Sequence, residues 1–325
     1  MALSVHHESW PIRGTFTISR GSKTSAEVVV AVLERSGFTG RGECVPYSRY
    51  GETIDSVMDQ VGALREPLAN DLDRDTLQAL LPAGAARNAL DCALWDLEAK
   101  TADRSAAQLA GVSVPDTITT AYTLSVDTPE RMQEAARAHR DAPLLKLKLA
   151  GEGDMERVDA VRRGAPDARI IVDANEGWSI EEYVAYAPRL HHLGVVMIEQ
   201  PFPADADEAL EALSRPVPVC ADESCHDRGS LEALAGRYDM VNIKLDKTGG
   251  LTEALALKHA AVERGFTVMV GCMLATSLAM APAMLLCADA AVVDLDGPLL
   301  LARDRPEGLR YEETTIHSLQ PALWG

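Results

Sequence analysis

The sequence predicts an α/β protein in which eight parallel strands close into a TIM-type barrel behind a separate N-terminal α+β domain. Three observations lead there. The chain has 325 residues, more than one ordinary core supports, so two domains or one large barrel with additions is required. From Asp116 to Gly297 a short aliphatic or β-branched run alternates with a charged amphipathic segment, the signature of repeated βαβ units. The first 115 residues lack that alternation and read as strands followed by helices.

In chain order, "EVVVAVLERSGFTGRGECVPY" reads as a strand, a glycine turn and a second strand. "AARNALDCALWDLEAK" reads as a helix with Ala89, Leu90, Ala93, Leu94 and Leu97 on one stripe. The barrel strands are "TITTAYTLS", "LLKLKLA", "ARIIVDAN", "VVMIEQP", "VPVCADES", "MVNIKLDK", "FTVMVGCM" and "AAVVDLDGP". Between them, segments such as "DTPERMQEAARAHR" and "LTEALALKHAAVERG" space their apolar residues at three and four and end in helix-stop signals. "LATSLAMAPAMLLCAD" is the helix expected before the last strand, although it is unusually apolar. The expected division is 1–115, then the barrel over 116–297. The tail 298–325 is too short for a domain and is expected to pack back on the first.

Bulk properties narrow the function classes. With 47% apolar and 25% charged residues the composition is that of a globular protein. No apolar run approaches the roughly eighteen residues of a membrane span, so no membrane role is expected. "MALSVHHESW" has neither the basic nor the apolar stretch of a secretory signal, which makes the cytoplasm the expected compartment. Six dispersed cysteines lack paired spacing and are expected to be reduced, mostly buried thiols. A net charge of -18 repels phosphate backbones, so no nucleic-acid partner is expected, and acidity of this size says little else about what is bound.

A TIM barrel builds its active site at the C-terminal ends of its strands, so charges that end apolar runs carry the functional signal. In strand order these are Lys146 and Lys148, Asp173 with Asn175, Glu199, Asp222, Lys244, and Asp294 with Asp296. Each step from Lys148 to Lys244 is about one βα unit, which returns every residue to the same rim. Singly, each carboxylate is better explained as a polar strand-end cap, and "KLKL" is as well explained as one wet face of a half-solvated strand. Barrel strands are covered outside by helices, however, so charged alternate positions point inward and require compensation.

Asp173, Glu199 and Asp222 form an all-oxygen donor set suited to a hard cation, for which Mg2+ is the natural candidate. A carboxylate substrate at such a site could lose its α-proton, since a cation stabilises the enediolate that results. Lys148 is assigned as the base. Lys146 is the neighbouring charge that lowers its proton affinity from the usual value of about 10.4. Lys244, on the opposite side of the ring, completes a two-base arrangement that inverts configuration, as in a racemase or epimerase.

The motifs K-x-K (Lys146, Lys148), D-A-N (Asp173), E-Q-P (Glu199), A-D-E-S (Asp222) and N-I-K-L-D-K-T-G-G (Lys244 to Gly250) resemble those of the enolase superfamily, muconate-lactonizing subgroup. The resemblance runs from "GRGECVPY" to "DLDGPLLL". It implies a modified TIM barrel, (β/α)7β, an N-terminal α+β capping domain, one essential Mg2+ and an enediolate intermediate. "VVDLDGP" resembles the D-x-D motif of dipeptide epimerases, which implies that Asp294 and Asp296 hold the α-ammonium of a dipeptide. "TISRGSKTSAEVVV" is similar to the cap loop of the bacterial L-Ala-D/L-Glu epimerases of murein peptide metabolism. There it implies that Arg20, with Lys23 as the alternative, pairs with the glutamate side chain. The alternatives are another superfamily reaction (racemase, cycloisomerase or dehydratase) or a non-catalytic metal-binding barrel. Oligomeric state is left open, with a homo-oligomer compatible. Glu223 and Asn175 are read as supports of the metal and lysines, His226 either lines the site or caps its loop, and "GEGD" at Gly151 is no dinucleotide fingerprint.

Overall fold

The computed structural model describes residues 1–325. Three antiparallel strands open the chain: β1 (Ala2–Ile18), β2 (Gly21–Arg35) and β3 (Phe38–Cys44), in the order β1-β2-β3. β1 was not among the expected elements. Its alternation is masked by His6, His7 and Glu8, and its outer edge is largely solvated, which accommodates Pro11. β2 is buried on both faces. Val29, Ala31 and Leu33 pack in the cap core, whereas Val28 and Val30 join the barrel core.

The helix Ala85–Ala102 lies on β3. It sits so close that a Cβ at Gly40 or Gly42 would overlap the carbonyl oxygens of Ala93 and Ala89, so the two glycines of "GRGEC" are a packing requirement. The expected stripe of Ala89, Leu90, Ala93, Leu94 and Leu97 does face the cap core. The opposite face, unexpectedly, is buried too. Arg87 donates to Thr248 O (2.7 Å) and Gly249 O, Asn88 donates to Asp246 (2.9 Å), and Asp91 accepts from Thr252 N (2.9 Å). The helix is a polar-bonded wall between two cores, which a single apolar stripe does not reveal.

"TITTAYTLS" is split. β4 (Thr117–Thr119) leaves the barrel, and β5 (Tyr122–Leu124) opens it. There follow β6 (Leu144–Lys148), β7 (Arg169–Asp173), β8 (Val195–Glu199), β9 (Val219–Ala221), β10 (Met240–Ile243), β11 (Thr267–Val270) and β12 (Val292–Val293). All neighbours are parallel, in the order β12-β11-β10-β9-β8-β7-β6-β5. The sheet curls until its ends meet: Ala121 N donates to Val293 O at 2.8 Å and Leu295 N to Thr120 Oγ1 at 2.8 Å.

Most crossovers carry a helix, such as Pro129–Ala138, Asp154–Gly164, Ile180–His192 and Leu251–Glu263. Between β8 and β9 there is only the 3-10 turn Glu208–Glu211, and between β9 and β10 little more than Leu231–Leu234. The apolar "LATSLAMAPAMLLCAD" forms the helix Ser277–Ala283, entirely sheltered except at Ala279. The chain ends in a small hairpin, β13 (Tyr311–Glu312) and β14 (Thr315–His317), with β14 paired to β4. Beyond it, Trp324 is fully buried and donates to Cys92 O (3.0 Å), while Gly325 N donates to Asp96 (2.7 Å). The tail is thus bonded to the helix of the cap. All six cysteines are unpaired. No helix is long and apolar enough to cross a membrane.

Candidate active site

The barrel interior is layered by the two-residue period of its strands. One residue from each strand position, Ala121, Leu144, Ile171, Met197, Cys220, Met240, Met269 and Val292, forms a single apolar floor. Two residues further along each strand stand Thr123, Lys146, Asp173, Glu199, Asp222, Asn242, Gly271 and Asp294, so the next layer is almost entirely polar. Another step brings Lys148, Asn175, Lys244 and Asp296 to the mouth. Strand register therefore converges the charged positions, and all are buried: Lys146 is 1% exposed, Lys148 7%, Lys244 5%, Asp173 and Glu199 0%.

Burial without neutralisation would be prohibitive, and the side chains respond by pairing. Lys146 Nζ lies 2.7 Å from Asp294, 2.7 Å from Glu199 and 3.3 Å from Asp173. Lys148 donates to Asp173 Oδ2 at 2.5 Å, and Lys244 to Asp222 Oδ2 at 2.6 Å. Lys247, which lies beyond the strand end and so carries no strand-end signal in the sequence, donates to Asp222 Oδ1 at 2.6 Å. Burial alone would lower the proton affinity of Lys146, but Asp294, Glu199 and Asp173 outweigh it and hold its pKa well above the usual lysine range. The same balance, with Asp222 dominant, raises Lys244. Lys146 is therefore caged by three carboxylates and shares Asp173 with Lys148.

The carboxylates diverge. Burial pushes Asp173 up, but Lys148 and then Lys146 override it and hold its pKa at about 2. Burial and then the neighbouring Asp173 raise Glu199 to about 7. Asp296 is likewise raised to about 7, by burial and then by Asp294. Glu199 Oε2, Glu223 Oε2 and Asp294 Oδ1 make no hydrogen bond, although Glu199 Oε2 lies within ion-pair distance of Lys146. No three His, Cys, Asp or Glu side chains converge in ligating geometry, because Asp173 and Asp222 are turned onto ammonium groups.

The donor set nevertheless fits a hard cation. It consists of oxygens on neighbouring strands, Asp173 paired in register with Glu199, and one of them, Glu199 Oε2, accepts no hydrogen bond. Six buried carboxylates (Asp173, Glu199, Asp222, Glu223, Asp294, Asp296) face five cations, Lys146, Lys148, Lys244, Lys247 and the Arg20 guanidinium that pairs with Glu223. The excess negative charge is of the kind a divalent ion neutralises.

Backbone geometry aims these groups. Asn175 and Glu176, after β7, and Gln200, after β8, have positive φ (45°, 66° and 36°), a conformation held only by surrounding bonds. At Gln200 its own side chain supplies them: Nε2 donates to Phe202 O, Ser224 Oγ and Tyr238 OH, and Oε1 accepts from Asp222 N and Ser224 N. Asn242 Nδ2 donates to Glu199 Oε1 at 2.8 Å, in space that the bare Gly271 leaves. Neither Gln200 nor Asn242 was singled out in the sequence, although each sits inside or beside a quoted motif.

Arg20 and Lys23 reach the site from the cap. Arg20 is engaged with Glu223 (2.7 Å), Tyr47 OH (2.8 Å), Asn175 O (2.8 Å) and Glu176 (3.1 Å), so it ties the cap to the mouth. Lys23 has no ionic partner and lies 5.6 Å from the Tyr47 ring centroid. Both line a cavity of about 330 Å³. Phe16, Met273 and Leu274 also line a small cavity beside Lys146, Lys148, Asp294 and Asp296, so the two spaces adjoin. Of the other residues near the mouth, Asn175 Nδ2 donates to Glu223 (3.4 Å), and His226 faces Glu223 O and the Tyr50 ring.

With this geometry in place, comparison with known proteins is specific. Residues 1–111 match the mandelate racemase / muconate lactonizing enzyme N-terminal domain, and residues 128–316 match the enolase C-terminal domain-like family. L-Ala-D/L-Glu epimerase of Escherichia coli K12 is 50% identical over 317 residues, covering 97% of this chain and 99% of that one. N-acetyl-D-glutamate racemase of a Pseudoalteromonas species is 46% identical, with 92% and 95% covered. An enolase family member from Agrobacterium tumefaciens with homology to dipeptide epimerases, solved with sodium and L-Ala-L-Glu, superposes with TM-score 0.98 at 49% identity, with 99% of each chain covered. More distant dipeptide epimerases have been solved with magnesium and a dipeptide. Matched by both of its domains over nearly its whole length, the chain belongs to the mandelate racemase / muconate lactonizing enzyme family of the enolase superfamily.

Proposed function

We propose that the protein epimerises the α-carbon of the C-terminal residue of a dipeptide, with L-Ala-L-Glu and L-Ala-D-Glu as its pair of substrates. The observation that carries this reading is the burial of two lysines, Lys148 and Lys244, on opposite sides of one carboxylate-lined chamber whose rim bears Asp294 and Asp296. Asp173, Glu199 and Asp222 would hold Mg2+, which supplies Lewis-acid charge for the substrate carboxylate when bound.

Lys148 takes the α-proton from one face and Lys244 returns one to the other, so configuration inverts. Each makes one hydrogen bond, to a single carboxylate oxygen, and is free to turn from it. Lys146, caged by three carboxylates, keeps a fixed positive charge beneath the reaction plane. Asp294 and Asp296 receive the α-ammonium. A second carboxylate pair would repel an anion that brought no cation to that end. The cavity beside them takes the second side chain, with Lys23 and Arg20 supplying positive charge for glutamate.

The decisive measurement is turnover of L-Ala-L-Glu in heavy water with Mg2+. The reading expects α-deuterium incorporation together with appearance of the L,D epimer. N-acetylglutamate, which has no ammonium for Asp294 and Asp296, serves as the control. Faster turnover of that compound than of the dipeptide would replace the dipeptide reading by N-acyl amino acid racemisation.

A further inference from the structure

Lys244 and Lys247 lie one helical turn apart, at the start of the short helix Leu245–Thr248, and both reach Asp222, but their environments differ. Lys244 makes one hydrogen bond. Lys247 is 1% exposed and uses all three of its ammonium protons: to Asp222 Oδ1 at 2.6 Å, Asp222 O at 2.5 Å and Asn242 O at 2.9 Å. An ammonium with one acceptor can swing to a new partner. One with three acceptors is a strut.

The strut stands where the sheet needs one. The ladder between β9 and β10 ends at Ala221 paired with Val241, one residue short of Asp222. Lys247 carries the connection further by bridging the carbonyls of Asn242 and Asp222 across the two strand ends. Asp222 is thereby fixed at three points: its N–H by Gln200 Oε1 at 2.9 Å, and its carbonyl and Oδ1 by Lys247. Only Oδ2 remains, shared with Lys244.

We infer that Lys247 is a positioning residue that locks Asp222 so that a single carboxylate oxygen, Oδ2, is presented to the cation and exchanged with Lys244. The two lysines of "KLDK" thus divide their work, with Lys244 mobile and Lys247 fixed. This rests on Asp222 being a ligand of the metal. It adds that cation uptake and release of Lys244 are one event, governed by a residue that touches neither substrate nor cation.

The test titrates magnesium alone into the wild type, Lys247→Met and Lys247→Arg by calorimetry, alongside kcat and KM for L-Ala-L-Glu. Lys247→Met is expected to weaken magnesium binding and lower kcat by about 10- to 100-fold, the usual cost of removing a group that orients a ligand. KM should change little, and Lys247→Arg should recover part of the loss. Charge alone predicts the opposite sign, since deleting a cation next to Asp222 would tighten magnesium binding. Unchanged or tighter binding in Lys247→Met therefore overturns the inference. If that variant does not fold, a crystal structure of the magnesium-loaded wild type decides. Lys247 must keep its three contacts while Lys244 leaves Asp222 Oδ2, and movement of Lys247 off Asp222 refutes the strut. A wild type that takes up no magnesium overturns the metal assignment itself and this inference with it, a failure distinct from normal uptake with an indifferent Lys247.

Discussion

At the scale of single residues, the site is a set of buried charges whose partners decide what each can do. Lys148 and Lys244 hold one carboxylate oxygen apiece, whereas Lys146 and Lys247 are multiply bonded, which is the ground for proposing the first two as proton carriers and the other two as fixed charges. Lys244→Ala should lower epimerisation by about 10²- to 10⁴-fold, the range that positioned acid–base groups contribute. Deuterium exchange into whichever epimer presents its proton to Lys148 should persist, and NMR of both epimers in heavy water distinguishes the two faces. Equal loss of exchange from both epimers would contradict the two-face division. Asp296→Asn should reduce kcat/KM for dipeptides by about 30-fold or more, since breaking a buried charge pair costs about 2–5 kcal/mol. Steady-state kinetics that leave kcat/KM intact would remove Asp296 from substrate binding.

At the scale of elements, glycines and end residues set how closely the pieces approach. Gly42→Ala forces a methyl group into the carbonyl of Ala89, and the helix Ala85–Ala102, pinned from both sides, has little room to retreat. The expected loss is about 1–3 kcal/mol, the usual cost of overpacking, read as a lower urea midpoint. Trp324→Ala empties a fully buried site and cuts the bond to Cys92 O, so it should cost about 3–5 kcal/mol in the same assay. Elements were legible in the sequence where the pattern was local. The periodicity of "DTPERMQEAARAHR" and "LTEALALKHAAVERG" gave helices at Pro129–Ala138 and Leu251–Glu263. β1 was not legible because an edge strand with one wet side has no apolar run, and the departure of β4 from the barrel depends on a partner almost two hundred residues away.

At the scale of the whole molecule, the interface between cap and barrel contains buried carboxyl groups that bear no part in the proposed chemistry. Asp91 is raised to about 6 and Asp246 to about 7, in both cases by burial, against which their hydrogen bonds pull down. An acid whose pKa is raised on folding binds more protons in the native state than in the unfolded chain between the two values. Its stabilising contribution is therefore complete below about pH 4 and is lost as pH rises through 6 to 7. Asp173, held at about 2, acts in the opposite sense and withdraws its contribution only as pH falls from about 4 toward 2. Urea unfolding should accordingly show stability falling between pH 4 and 7, by up to about 1.4 kcal/mol per pH unit for each raised group. Asp91→Asn should flatten part of that slope, while a slope identical to that of the wild type would show that Asp91 is ionised throughout.

The sequence by itself determined the barrel, the order of its charged strand ends and the resemblance to a family. All three are written in local patterns: period two along strands, period three to four along helices, and short motifs at fixed spacing. It also carried Lys146, Lys148, Asp173, Glu199, Asp222 and Lys244 to one mouth, because a closed parallel sheet returns every strand end to the same rim. Only the tertiary structure decided which lysine is caged and which is free, that Arg20 is tied to Glu223, Glu176 and Tyr47 while Lys23 has no ionic partner, and that Lys247 braces Asp222. The physical reason is that ion pairing in a buried chamber depends on ångström-scale distances between side chains from different strands. Those distances follow from register, from backbone turns such as that at Gln200, and from the bare space at Gly271, none of which spacing along the chain encodes.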